Sequence, residues 1–466
     1  MRARPNPTTS NNVTLISALR EALVTMLAAI ANLLCALTLA PGSGAAVLAV
    51  VLCLSLSRSQ LDRDWRHRLE SALLLPIVGM ATIGVGLLLL HAPWLGATVF
   101  VAGMFVSIWL RRFGAIARRI GSLIALPFVT LLVTPPIVAP RGGPIPSLLL
   151  PVIIALLALL WVSVLHALAR AVGFLPASRE LRQSVSPEPV RASTLRPIAS
   201  TRMAIQMAIA LALSFVIGYL FFSDRWAWIV LTAFIVISGN RGRLEVAYKS
   251  VLRVAGAAAG TVLALVLSAH LGDHGVGTAA LILASIFIGV WLRPLGYAWW
   301  ALFVTVALAL LQGFANLPAS HVLLLRFEEI VIGAVVAVAT AWWILPVRST
   351  GVLRRRLADA LSALGTALDP AAAERTPAAF IGAVASVEQL APAFRASRLA
   401  TNRLRKLQPA DWIDALVVCS RPAIALIESG ETPADVRRAV GTARQALLEP
   451  DALLPALQGL QQALAR

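Results

Sequence analysis

The chain has 466 residues, of which 59% are hydrophobic and 13% charged, and its formal net charge is +18. A mean hydropathy of +0.82, with long apolar runs, excludes an ordinary soluble domain and predicts a multi-spanning membrane protein. In the apolar part the basic residues lie in alternate loops, so the charge indicates membrane topology and not a nucleic-acid partner.

Twelve apolar segments follow a polar N-terminal arm at 1–16. A polar linker at 174–199 separates a first group of six, within 17–173, from a second group of six, within 200–346. The predicted spans are 17–40, 44–57, 71–91, 93–110, 119–139, 147–172, 200–222, 226–238, 251–270, 276–292, 297–315 and 321–345. The loop arginines predict that both chain ends are cytoplasmic.

The two groups share a constant spacing in residue number. The sequence WLRRFG at 109–114 is answered by WLRPLG at 291–296, and 291 − 109 = 182. Arg20 is answered by Arg202, and the short span 44–57 by the short span 226–238. Since six is an even number, both groups enter the membrane from the same side, which predicts two parallel six-helix repeats. The competing interpretation is that any two helical membrane halves look alike.

Residues 347–466 are rich in Ala, Leu and Arg, with helical periodicity. Prolines interrupt that periodicity at Pro370, Pro377, Pro409, Pro433 and Pro450. This pattern predicts about five amphipathic helices in a cytoplasmic domain. The predicted fold class is therefore all-α: about 12 transmembrane helices plus a C-terminal helical domain.

Short spans at corresponding places in two halves are typical of a transporter site. We therefore expect a site between the repeats, beside 44–57 and 226–238. On the second of these spans, Trp228 and Phe234 are candidates to stack on an aromatic ligand, although an interfacial aromatic belt also explains the tryptophan. Gln206 is a further candidate contact, although such a group is more often a link between helices.

The predicted span at 251–270 combines an arginine with two small residues. Gly256 and Gly260 lie on one helix face and predict close packing, with a substrate path along that face as the alternative. Gly333 is a third predicted packing position. Arg253 is predicted at the cytoplasmic mouth, where it would attract an organic anion, and positive-inside placement explains it equally.

Acidic residues inside the predicted spans are scarce, so Glu329 is a candidate functional residue. Arg326 and Glu329 are three residues apart and would meet on one helix face. A gate or proton-coupling pair is one interpretation, and a structural ion pair is the other. No metal-ligand spacing, phosphate loop or nucleophile motif is found, so we expect no metal, no cofactor and no enzyme activity.

The second half resembles the fusaric acid resistance-like family of integral membrane transporters. The resemblance rests on WIVLT at 228–232, on R-x-x-G-x-x-x-G at 253–260, and on Arg326, Gly333 and Pro346. It covers 200–346 clearly, and 17–173 only through the internal repeat. Exporters of the family often carry a large cytoplasmic domain between the halves; this chain has a short linker there and places its soluble helices at the end.

The resemblance implies an exporter of small organic acids, aromatic carboxylic acids first, in a bacterial inner membrane. The implied partners are the lipid bilayer, small organic anions, and a periplasmic adaptor or a second copy of the chain. An organic-anion channel is the alternative, and so is a non-transporting scaffold whose helical tail binds cytoplasmic partners. A growth or flux assay with benzoate-like anions separates these hypotheses.

Overall fold

The computed structural model describes residues 7–58, 65–133, 149–175, 199–222, 225–239, 241–270, 276–313, 319–371, 375–402 and 408–465. Across these residues the chain is helical and forms no strand. The first twelve helices are α1 Pro7–Leu39, α2 Ser43–Arg58, α3 Trp65–His91, α4 Pro93–Trp109, α5 Ala115–Val133, α6 Leu150–Ala171, α7 Ala199–Phe221, α8 Trp226–Ile237, α9 Arg243–His270, α10 Val276–Leu292, α11 Tyr297–Gly313 and α12 Ala319–Trp343. The all-α prediction is confirmed.

Six of these helices are long and apolar enough to cross a membrane, counting only the described residues. The six segments are Leu15–Leu39, Pro93–Phe113, Leu150–Ala171, Ser200–Phe221, Arg243–Leu267 and Gly277–Leu295. Shorter apolar helices, α2 and α8 among them, lie between these segments. The chain is a multi-pass membrane protein.

The starts of α1 and α9 differ most from the sequence prediction. Helix α1 begins at Pro7, within the stretch predicted as a polar arm, because the Ser/Thr/Asn run there continues directly into the apolar helix. Helix α9 begins at Arg243, before the predicted span at 251 (251 − 243 = 8). A polar first turn is compatible with a helix, and hydropathy alone does not detect it.

The spacing of 182 reappears in the helix positions. Helix α5 begins at Ala115 and α11 at Tyr297, and 297 − 115 = 182. A 3₁₀ turn precedes each of them and ends at a glycine with positive φ, Gly114 (103°) and Gly296 (157°). Glycine is favoured in this region of backbone conformation because glycine has no Cβ atom.

Side chains repeat at the same spacing. Phe105 stacks on Trp109 with ring centroids 6.5 Å apart, and Phe287 stacks on Trp291 at 6.3 Å, with 287 − 105 = 182. The spacing is lost at the sixth helix of each group, because α6 begins at Leu150 and α12 at Ala319, and 319 − 150 = 169. The chain between α5 and α6 is longer than the chain between α11 and α12.

The described residues form two compact units. The first comprises the described parts of Met1–Ser178, Arg191–Ser238 and Lys249–Ile344. Within it, α4 packs against α7, and α1 packs against α10. In both contacts, the fourth helix of one group packs against the first helix of the other. The α4–α7 contact is aromatic. The ring centroids of Phe100 and Phe215 are 5.4 Å apart, and those of Trp94 and Tyr219 are 5.1 Å apart.

The second unit comprises the described parts of Gly239–Tyr248 and Leu345–Arg466. Its helices are α13 Ser349–Ala367, α14 Ala378–Glu388, α15 Ala391–Thr401, α16 Pro409–Ser429, α17 Ala434–Gln445 and α18 Pro450–Leu464. Six helices form where about five were expected, because Pro392 in its first turn starts α15 as a separate helix.

The core of the second unit is apolar and closed. Phe380, Ile413 and Leu457 have no exposed surface. The short segment 239–248 joins this unit through backbone and side-chain bonds: the Leu244 amide donates to Ser349 Oγ at 2.9 Å, and Arg241 donates to Gln389. From the sequence, this segment was expected to belong to the second group of spans.

Candidate anion site

The site is organised by α8, which has 12 residues. At about 1.5 Å per residue such a helix spans about 18 Å, well short of a hydrocarbon core of about 30 Å. Its central residues are buried because α7 and α12 pack along it, and α5 also contacts it. Arg225 directly precedes this helix, and its Nη1 atom is buried.

Helix α12 lies unusually close to α8 at Gly333. A Cβ at Gly333 would lie 2.6 Å from the Ile229 carbonyl oxygen and 2.8 Å from Thr232 Cβ. Only a residue without a side chain permits this approach of the two helices. The approach brings two ionisable residues of α12, one and two turns before Gly333, into the interior.

Those two residues are Arg326 and Glu329, whose exposed fractions are 5% and 1%. A charge buried at membrane depth is costly unless it is paired or lies beside a wet cavity. The contacts of this pair therefore decide what the site can do.

Arg326 stacks on an aromatic ring. Its guanidinium carbon lies 3.6 Å from the centre of the Trp228 ring, in the first turn of α8. Arginine over an indole is a favourable cation–π arrangement. Trp228 therefore has a cationic neighbour from its own chain in the position where the sequence predicts an aromatic ligand.

Glu329 pairs with Arg225. The distance from Arg225 Nε to Glu329 Oε1 is 3.5 Å, and the Arg225 side chain is 37% exposed. From the sequence, the partner of Glu329 was expected one turn away on the same helix. Arg326 does interact electrostatically with Glu329, and also with Arg253. The tertiary partner comes from the start of α8 because α8 packs against this face of α12.

Arg253 is the third arginine of the group and is only 3% exposed. Its Nε atom is buried without a hydrogen-bond partner among the described residues. The predicted place of Arg253 was a cytoplasmic mouth; α9 begins at Arg243, so Arg253 lies well along the helix (253 − 243 = 10) and inside the bundle. Its neighbours on the same helix, Gly256 and Gly260, face α11: a Cβ at Gly260 would lie 2.5 Å from the Leu302 carbonyl oxygen.

The buried group carries an excess of positive charge. Arg225, Arg253 and Arg326 bring three positive charges, and Glu329 brings one negative charge. Glu328, the next carboxylate along α12, is exposed. A cluster with this balance favours a bound anion, and a guanidinium fork binds a carboxylate with two parallel hydrogen bonds.

Two sequence candidates lie apart from the arginines. The Gln206 amide donates to the Ile344 carbonyl oxygen at 2.8 Å, at the end of α12. Ile344 follows Glu329 by 344 − 329 = 15 positions, about 22 Å along a helix, so Gln206 links two helices far from the charged group. Phe234 is half-buried on α8, six residues beyond Trp228.

The two short helices do not form a shared site. Within the described residues α2 and α8 do not contact each other: α2 packs against α1, α5 and α6, and α8 packs against α5, α7 and α12. The expectation of a seam between α2 and α8 is wrong. Each short helix lies beside the first and last helices of its own group, and α5 contacts both short helices.

Arg225 is a site residue that the sequence did not predict. It directly precedes α8 in the sequence, and this position does not reveal its contact with Glu329. The available signal was an arginine immediately before a very short apolar helix, a place where a long side chain can reach inward.

Residues 208–340 match the family model described as fusaric acid resistance protein-like. The resemblance seen in the sequence is thereby confirmed for this fusaric acid resistance-like segment. No curated protein and no solved structure matches the chain. The segment contains Arg225, Trp228, Arg253, Arg326 and Glu329, and Gln206 lies just before it. Together with the apolar helices, the match suggests a membrane transporter-like role.

Proposed function

We propose that the protein carries small organic anions, aromatic carboxylates first, outward across a bacterial inner membrane. The anion binds at the arginine group beside α8, which consists of Arg225, Arg253 and Arg326. Twelve spans in two parallel repeats, with both chain ends cytoplasmic, provide the frame, and the proton gradient drives export.

One observation supports this proposal above the others: two buried arginines and the partly exposed Arg225 lie with one buried glutamate, and one of these arginines stacks on a tryptophan. A carboxylate entering this space would neutralise part of the excess charge and gain hydrogen bonds to guanidinium groups. The aromatic ring of the same ligand would lie next to the Arg326–Trp228 pair at the start of α8, whereas Phe234 lies apart from the arginines. A neutral or cationic solute would not neutralise this excess charge.

The test is flux of ¹⁴C-benzoate from proteoliposomes, compared with protein-free liposomes. We expect saturable efflux that is accelerated by unlabelled benzoate on the opposite side and stimulated by an imposed pH gradient. Neutral benzamide has the same ring without the charge, so it serves as the matched control solute and is expected to leak equally from both kinds of liposome.

The two rival functions give different results in the same preparation. A channel would give benzoate conductance in planar bilayers that does not saturate and shows no acceleration by solute on the opposite side. A scaffold would give no flux above protein-free liposomes for benzoate or for any other organic acid in a panel. Either result would overturn the carrier proposal.

A further inference from the structure

A separate cavity of about 280 Å³ lies in the first unit, away from the arginine group. Helices α1 and α2 form one side, and the end of α10 with its 3₁₀ turn forms the other. The two sides are tied together near the cavity, because Trp291 Nε1 donates to the Leu15 carbonyl oxygen at 3.2 Å. The cavity is therefore a built feature of the contact between the two groups of helices.

The cavity wall carries both charges and an apolar surface. Glu21 on α1 and Arg293 at the end of α10 both line it and interact electrostatically with each other. Ser57 also lines it, and its Oγ atom is buried without a hydrogen-bond partner among the described residues. Ala22 and Leu54 contribute apolar surface.

In the second group of helices, methionine stands at the positions equivalent to the carboxylate and the hydroxyl residue of α1. With the spacing of 182, Glu21 corresponds to Met203 (203 − 21 = 182) and Thr25 to Met207 (207 − 25 = 182). Met207 is fully buried, so its side chain fills interior space at the place where Thr25 borders the cavity. Two equivalent positions have thus diverged, one toward packing and the other toward an open polar space.

From this arrangement we infer that the cavity binds a zwitterion of amino-acid size. Its ammonium group lies at Glu21, its acid group at Arg293, and its apolar side chain against Ala22 and Leu54. A ligand with one charge would displace the contact between Glu21 and Arg293 and pair with only one of them, whereas a zwitterion pairs with both. The same chemistry is shared by free amino acids and by an ethanolamine phosphate headgroup, so both are probed.

The test is calorimetric binding of L-leucine to the full-length protein in detergent. The one-charge analogues isoamylamine and 4-methylpentanoate are expected to bind at least tenfold more weakly. Glu21→Gln and Arg293→Gln are each expected to weaken leucine binding at least tenfold. Thr25→Met, which copies the residue of the second group, is expected to abolish it by filling the cavity.

O-Phosphoethanolamine distinguishes the two sources of ligand. Tighter binding of this compound than of leucine, with the same loss in Thr25→Met, assigns the cavity to a lipid headgroup. Unchanged leucine affinity in Thr25→Met would overturn the proposal, and so would equal binding of leucine and isoamylamine, or no binding of either zwitterion. Benzoate flux is measured on the same variants; because the arginine group lies elsewhere, its outcome is independent of the outcome for the cavity.

Discussion

Arg326 and Trp228 form a cation–π pair in the interior of the first unit, with 3.6 Å between the guanidinium carbon and the ring centre. The pair joins α12 to the short helix α8, and the arginine is almost fully buried. An exposed pair of the same type occurs on the chain: Arg112 lies 4.6 Å from the centres of the Trp109 and Phe113 rings. The two pairs differ in burial, which makes one a control for the other.

Arg326→Gln is expected to reduce benzoate flux by about tenfold to a hundredfold. The lost hydrogen bonds to a carboxylate are worth about 1.5–3 kcal/mol, and each 1.4 kcal/mol corresponds to about tenfold. Arg326→Lys keeps the charge but loses the planar fork, so we expect an intermediate flux. The measurement is initial efflux from proteoliposomes at matched protein density.

Arg112→Gln is the matched control, since Arg112 is exposed and contacts two aromatic rings. Its benzoate flux is expected to stay within about twofold of the parent protein, because surface charge contacts contribute little. Equal losses in the two glutamine variants would mean that removing any stacked arginine harms the protein, and the role of Arg326 in binding would be withdrawn.

Glu329→Gln tests the coupling role. If the Glu329 carboxylate exchanges a proton during transport, the glutamine variant is expected to retain benzoate exchange and to lose stimulation by an imposed pH gradient. The neighbouring Glu328→Gln removes the same charge from an exposed position of the same helix and is expected to keep that stimulation. Stimulation that persists unchanged in Glu329→Gln leaves Glu329 as a structural partner of Arg225.

Much of the fold was readable from the sequence because it rests on local properties. Apolar run length locates the helices, and glycine locates the turn at Gly114 and its counterpart at Gly296, where positive φ occurs. The spacing of 182 was evident in the sequence. It recurs in the structure, where Phe105 stacks on Trp109 and Phe287 stacks on Trp291. The start of α9 was missed because a polar turn on a membrane helix carries no hydropathy signal.

The site was readable only in part, because its contacts are tertiary. The sequence identified Arg326, Glu329 and Arg253 as unusual, since charged groups within apolar spans are rare, and Trp228 as a candidate contact on an unusually short span. It could not assign partners: spacing along one helix suggested Arg326 for Glu329, whereas packing of α8 against α12 brings in Arg225. Pairing between helices depends on which faces meet, and hydropathy does not encode that.

Gly260→Ala is expected to destabilise the first unit. The added Cβ would lie 2.5 Å from the Leu302 carbonyl oxygen and 2.9 Å from Thr305 Cβ, so α9 and α11 must separate. Overpacking of this kind costs about 1–3 kcal/mol. The measurement is the thermal unfolding midpoint in detergent, which we expect to fall in Gly260→Ala.

Gly84→Ala is the matched control, and its thermal unfolding midpoint is not expected to fall. Gly84 lies in α3, and a Cβ there meets nothing within 4 Å. Replacing glycine by alanine inside a helix without a clash is favourable by about 0.5–1 kcal/mol, so its midpoint is expected to stay level or rise. A lower midpoint in Gly84→Ala, or an unchanged one in Gly260→Ala, would contradict close packing as the role of Gly260.

Asp414→Asn is expected to loosen α15 and α16 at neutral pH. Burial raises the pKa of Asp414, but hydrogen bonds from Arg395 (2.6 Å) and Arg398 (2.8 Å) outweigh it and hold that pKa below its ordinary value. A lowered folded-state pKa contributes stability above the unfolded-state pKa of about 3.9, and this stability is lost as the pH falls through the folded-state value. The groups are about one-third exposed or more, so the contribution is at most about 1 kcal/mol.

Hydrogen exchange of the α15 and α16 peptides in the full-length protein measures this effect. After correction for intrinsic exchange rates, Asp414→Asn is expected to exchange faster than the parent at pH 7 and equally at a pH below the folded-state pKa of Asp414. Glu428→Gln removes an exposed carboxylate from the same helix and is expected to match the parent at both pH values. A difference that persists at the low pH would show that the asparagine acts through packing rather than through charge.

Cys419 is expected to resist maleimide in the folded protein. Its side chain has no exposed surface, Sγ lies 3.8 Å from the Leu457 carbonyl oxygen, and burial raises the pKa of the thiol to about 11. Because the thiolate is the reactive form, a pKa this high leaves a thiolate fraction of about 10⁻⁴ at pH 7, against about 3% for an ordinary thiol. In a background of Cys35→Ser and Cys53→Ala, Cys419 should label at least a hundredfold more slowly than the thiol of L399C, a position that is 84% exposed on α15. Urea should equalise the two rates, whereas equal rates before urea would mean that the core around α16 opens faster than the reagent reacts.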